Sequence, residues 1–213
     1  MLKKLSLAAA MVLLSGCSTA YYAAMEKVGV HKRDILIDRV EDARDAQLKG
    51  QQEFKDALDQ LSQLIGFHGG NLQQRYEALN SQYEDSKKAA TEVSERINKV
   101  ELVAFDLFNE WEEELKQYQN KKLRADSKRQ LLETKRQFDA LVKVMRRAES
   151  KMPPVLRVLQ DNVLYLKHNL NAKAVGAISG EFSLLQQDVE LLLQEMNRAI
   201  ADSNQFIATI RQS

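Results

Sequence analysis

Few residues in this chain are of types that do chemistry. There is one cysteine (Cys17), three histidines (His31, His68 and His168) and one run of carboxylates, Glu112-Glu113-Glu114. A helical bundle can hold two metal ions through Glu-x-x-His pairs, but no histidine here has glutamate three residues upstream. Consecutive glutamates point around a helix, so they make a solvated face and not an acid–base pair. His68 and His168 could share a metal only with further ligands, because structural sites want about four. The plainer reading of both is a polar tip facing solvent or a partner. Gly-x-Ser-x-Gly, a phosphate-cradling glycine loop and His-Glu-x-x-His are all missing from the sequence. The expectation is a protein that is no enzyme and takes no metal or cofactor.

Cys17 is different because of what precedes it. Lys3-Lys4 is a basic start, residues 5–14 are apolar but for Ser6, and Leu14-Ser15-Gly16-Cys17 follows. Ten apolar-rich residues span about 15 Å as a helix, half of a roughly 30 Å bilayer core, so this is a signal peptide and not a membrane span. Leu-Ser-Gly-Cys resembles the lipobox of bacterial lipoproteins. The resemblance implies cleavage after Gly16, a diacylglyceryl thioether on Cys17 and acylation of the new amino terminus. Two or three acyl chains suffice for stable anchoring. An ordinary secretory signal with a chance cysteine is the alternative. Ser18 stands where an inner-membrane retention signal would place Asp, so the implied destination is the inner leaflet of the outer membrane. Of 31 basic residues, Lys3 and Lys4 would be lost, leaving 29 against 30 acidic ones. That balance gives no electrostatic reason to expect nucleic acid.

The elements that must carry these residues are helical. Apolar residues recur at steps of four and three: Leu36, Val40 and Ala43, then, past Gln47 and Gly50 at seam positions, Phe54, Ala57, Leu61 and Leu64. Equivalent runs extend from Leu72 to Trp111, Leu131 to Met152, Leu156 to Leu170 and Ile178 to Ile210. A period near 3.5 keeps one seam on one side of a slightly supercoiled helix. Breaks fall at 66–71, with Asn71 as a candidate N-cap, at 119–127, where Asp126 or Ser127 could cap, and at 171–180. Pro153-Pro154 should kink the third helix or turn the chain back. The predicted segments are about 25–65, 71–118, 127–171 and 178–211. Short connections make neighbours antiparallel. Extra apolar residues beside the seam (Val103, Phe105, Phe108, Val142, Leu191, Leu193) widen it beyond a two-stranded zipper, and the stretch 105–111 is assigned to the core. The fold class is therefore all-α, an elongated antiparallel bundle of about four long coiled-coil-like helices. A long hairpin that dimerises is the alternative, so homo-oligomerisation stays open. The chain divides into a cleaved signal peptide (1–16), a lipidated tether (17–30) and the bundle (31–213).

Two surfaces stand out. Lys121, Lys122, Arg124, Lys128 and Arg129 crowd the middle turn, which up-down topology returns to the end bearing the anchor. There each cation can add on the order of 1 kcal/mol of attraction to anionic lipid; a merely solvated loop is the alternative. Lys27, His31, Lys32 and Arg33 lie on the same side, and Tyr21 and Tyr22 are placed to rest at lipid headgroups. The second surface is the charge-dense strip holding Lys32, Arg33, Asp34, Asp38, Arg39 and Arg44, which a partner could read or which local ion pairs could absorb. With His68, His168 and Asn171 in the distal turns, it makes up the candidate partner-binding set.

Tyr22-Ala-Ala-Met25-Glu-Lys-Val-Gly29-Val-His-Lys-Arg33-Asp34-Ile-Leu-Ile-Asp38-Arg39-Val-Glu-Asp-Ala-Arg44-Asp45-Ala-Gln47 resembles the opening of the bacterial family called domain of unknown function 2959. Leu166-Lys167-His168-Asn169-Leu170-Asn171-Ala172 resembles its later motif. The resemblance covers the whole mature chain, implies a helical envelope protein, and carries over no catalytic residue. The function expected is a structural or protein-interaction module, anchored to the membrane and contacting an envelope protein. The alternative is a bundle that opens to hold a lipid or other apolar ligand, with Ser86, Thr134 and Ser203 loosening the seam.

Overall fold

The computed structural model describes residues 31–66, 69 and 71–212. Cys17, the expected signal peptide, the tether 17–30 and His68 lie outside the described residues. Four long helices and one short one follow in order: α1 (Lys32–Ile65), α2 (Leu72–Gln117), α3 (Lys121–His168), α4 (Ala172–Ser179) and α5 (Phe182–Gln212). α1 packs on α2, α2 on α3, α3 on α5, and α5 back on α1, so the long helices close a four-membered antiparallel ring. The short connections enforce the antiparallel order.

The heptad seams form the core. Every seam position of α1 from Leu36 to Leu64 is buried, including Gln47 and Gly50. The same holds for α5 from Leu185 to Ile210. Phe138 of α3 sits edge-on to Phe108 of α2 (centroids 5.5 Å, 76°) and 6.1 Å from Phe206 of α5. Two polar seam residues satisfy themselves locally. The Ser203 hydroxyl donates to the Ala199 carbonyl at 2.6 Å. That of Ser86 lies 2.8 Å from the Gln82 carbonyl and 3.0 Å from that of Glu53.

Several boundaries differ from expectation. α3 begins at Lys121 because the Asn120 side chain accepts from the Lys122 and Leu123 amides (2.9 and 3.2 Å), so neither Asp126 nor Ser127 caps it. Ser127 instead accepts a hydrogen bond from the Trp111 indole at 2.8 Å. Asn71 caps α2 as expected, accepting from the Gln74 amide at 3.2 Å. The third connection contains α4, capped by Asn171 through the Ala174 amide at 3.0 Å. Pro153 and Pro154 lie inside α3, which runs on without reversal. Both face solvent, so the carbonyls whose helical donors they remove can be hydrated. Phe105 and Leu191, assigned to a widened stripe, are exposed (66% and 51%), whereas Val103 and Phe108 are buried. Four helices need an apolar face only about 100° wide, and Phe105 falls beyond its edge.

At Gly50 α1 comes close to its neighbours: a Cβ there would meet Met196 Cε at 3.2 Å and Val93 Cγ2 at 3.6 Å. The nearer atom is the end of a flexible side chain and can move by the few tenths of an ångström required. Gly50→Ala should therefore keep most of the helix-propensity gain and stabilise by about 0.5–1 kcal/mol in urea denaturation. Gly50→Leu should destabilise, because Val93 and the helix backbones cannot give way by a whole side chain.

Candidate functional site

The two ends of the bundle differ. At one end lie the close of α1 at Ile65, the start of α2 at Leu72, His168, Asn171 and α4. At the other, α1 starts, α5 finishes, and the α2–α3 connection projects beyond both. Lys32 near the start of α1 pairs with Glu110 of α2 at 2.9 Å, and α2 continues from there to Gln117. Those seven residues carry the tip about 10 Å past the start of α1.

The tip is amphipathic. Lys121, Lys122, Arg124, Lys128 and Arg129 are all exposed, and Tyr118 and Leu123 stand beside them with 39% and 54% exposure. Arg129 bonds Asp126. The first turn of α3 holds no acid, so cations sit at the positive end of the helix dipole, which mildly disfavours them. Breaking that local preference without a compensating contact in the fold is common where a surface serves an external partner.

Where the four-helix ring becomes a two-helix tip, its mouth opens into a cavity of about 510 Å³. Leu36, Leu107, Trp111, Thr134 and Ile210 form its walls, and His31, Arg33 and Glu133 stand at its rim. Sequence reasoning did not find this cavity. It arises because α1 and α5 stop short of α2 and α3, a difference in length invisible to a periodicity. Thr134 alone of the three polar seam residues lines it. The Glu133 carboxyl is held below the usual carboxylate range by hydrogen bonds from Arg136 and then Gln137. Glu112 is held low by its hydrogen bond from Lys135. Both carboxylates are therefore ionised at neutral pH. The small help each gives is complete above the ordinary carboxylate range and fades as pH falls through the lowered one.

The charged strip on α1 is spent largely on the fold. Arg33 donates to the Ile210 carbonyl. Asp42 receives Arg39 and Arg96, each at 3.0 Å. Arg44 holds Asp45 at 2.8 Å and Asn204 at 3.1 Å, and Glu41 meets Arg211 at 2.9 Å. Asp34 and Asp38 face solvent. The strip thus staples α1 to α2 and α5, while Asp34 and Asp38 lie near the start of α1, at the opposite end of the bundle from His168 and Asn171. Among the described residues no group of three His, Cys, Asp or Glu converges on one point. None of the described helices is long and apolar enough to cross a membrane.

Fold and site together define an antiparallel four-helix bundle with a projecting basic tip and an open apolar mouth. The family model described as protein of unknown function (DUF2959) matches residues 21–210, and the chain belongs to that family. No curated protein matches the chain.

Proposed function

We propose that this protein is a non-enzymatic envelope lipoprotein, anchored through Cys17 in the inner leaflet of the outer membrane and acting as a structural or protein-interaction module in the periplasm. The observation that carries this reading is the sharing of one end by the start of the bundle and the basic tip. A chain tethered just before His31 brings Lys121, Lys122, Arg124, Lys128 and Arg129 to the lipid surface, with Tyr118 and Leu123 positioned for the headgroup boundary. The opposite turns, with His168 and Asn171, then stand about 50 Å away, the length of the 34-residue α1. That is where a protein partner would meet the module, with Asp34 and Asp38 as a secondary contact.

Radiolabelled palmitate should enter the wild-type chain and not Cys17→Ala. In the unlipidated mature chain, reversing Lys121, Lys122 and Arg124 to Glu should weaken binding to anionic liposomes at least about tenfold at low salt, and less as salt rises. Unchanged binding would remove the tip from the interface.

The mouth cavity favours a second reading, a module that holds lipid or another apolar ligand, since its volume lies in the range of small-molecule sites. Lipid co-purifying with the mature chain in native mass spectrometry would support it.

A further inference from the structure

Leu102 and Phe105 are the most exposed large hydrophobic side chains among the described residues, at 65% and 66%. Three residues apart on α2, they share one face, and the four-helix core leaves that face in water. Lys99 stands one helical turn before Leu102, and Asp106 one turn after it. Among the described residues neither makes an ion pair or a side-chain hydrogen bond. Their neighbours on α2 do. Glu92 takes Lys49 and Arg96, Glu101 takes Arg146, Glu110 takes Lys32, and Glu112 takes Lys135. Lys99 and Asp106 lie about 10 Å apart along the axis, too far to meet within one helix. Asp106 has no cation three or four residues away, and Glu95, four before Lys99, makes no bridge to it. The face therefore reads positive, apolar, negative, with Leu102 at its centre.

Such a pattern is complementary to itself. Turned end over end about a two-fold axis beside Leu102, a second α2 sets Asp106 against Lys99 and Lys99 against Asp106, an isologous contact. Leu102 then falls beside Leu102 and Phe105 of the second copy. Glu95 comes opposite Asn109 and Glu110, and Glu110 is already neutralised by Lys32. Parallel helices would instead set Lys99 on Lys99 and Asp106 on Asp106, which repel. Leu184 and Leu191, a comparable exposed pair on α5 (64% and 51%), lack the pattern, because Asp188 between them would meet its own copy.

We propose that this face of α2 is a self-association surface. Two copies pair antiparallel along α2, with Leu102 and Phe105 at the centre and a Lys99–Asp106 ion pair at each edge. The proposal goes beyond the anchored reading and does not rest on it. The apolar centre is small, so the pair forms only in concentrated protein. The flanking charges set direction more than they add affinity.

The test uses the unlipidated mature chain with Cys17→Ala, so that neither acyl chains nor the native thiol intervenes. Sedimentation equilibrium from about 1 μM to about 1 mM should show the monomer giving way to a dimer. Combining Leu102→Ser with Phe105→Ser should leave a monomer throughout, with helix content by circular dichroism unchanged because both side chains are exposed. Lys99→Glu should weaken pairing at least about tenfold. Adding Asp106→Lys to it should restore the pairing, which nonspecific apolar sticking would not do. Direction is read by mixing two chains, one with Lys99→Cys and the other with Asp106→Cys. Mild oxidation should favour the mixed disulfide over either like-with-like product. A monomer at every concentration, pairing that survives the two serines, no rescue by the exchanged charges, or a preference for like-with-like disulfides each overturns the proposal. A monomeric chain that binds phospholipid vesicles through Leu102 and Phe105 would give the face to lipid and overturn it as well.

Discussion

Replacing Phe138 with alanine is expected to destabilise the bundle by about 3–5 kcal/mol, the usual cost of emptying a large buried aromatic site. Phe138 is 7% exposed and touches Phe108 on α2 and Phe206 on α5, so one side chain ties three helices together. Its edge-to-face contact with Phe108 contributes about 0.5–1.5 kcal/mol beyond area burial. The void would be hard to close, because each ring is fixed to a different helix. Urea denaturation followed by circular dichroism should show a lower midpoint with an unchanged slope. Phe105→Ala is the control: that ring is 66% exposed, and its loss should stay within about 0.5 kcal/mol. Equal losses from the two substitutions would mean that the helices pack in another rotation.

Gln47→Leu should do the opposite and stabilise the protein by about 1–3 kcal/mol. Gln47 is fully buried on the α1 seam, and neither atom of its amide has a hydrogen-bond partner. Ser86 and Ser203, also in the core, bond to backbone carbonyls and carry no such penalty. Leucine has similar bulk, so the gain comes from removing an unsolvated amide and not from filling space. A polar group on a seam can also fix the register of packed helices. The Gln47→Leu chain should therefore unfold at higher urea, and its side-chain NMR spectrum should show whether one packing arrangement survives. A lower midpoint would mean that the amide makes a bond worth more than its burial costs.

Much of the fold was legible because a four-helix bundle is written locally. The 3–4 spacing of Leu36, Val40, Ala43 and their successors states which face is buried without reference to any other helix. Asn71 caps α2 from a position readable in the chain. Short connections leave little choice but antiparallel neighbours. Reading faltered wherever the answer belonged to two helices at once. Ser127 looked like a cap and is the acceptor for Trp111 sixteen residues earlier. Phe105 looked like core because it neighbours Ala104 in sequence, yet one step around the helix is a turn of 100°. The charge-dense strip on α1 left a partner surface and local ion pairs both open, and Glu41, Arg44 and Asp42 find Arg211, Asn204 and Arg96 across helix interfaces. Those pairings depend on rotation and register, which no single-helix pattern contains.

By itself the sequence determined the helical class, the buried face of each long helix and the antiparallel order, because periodicity and loop length are local properties. Tertiary structure alone decided that the helices close a ring, that α2 and α3 outrun α1 and α5, and that an apolar mouth opens beneath a basic tip. Those features come from differences between helices packed side by side, and they exist only once the chain has folded.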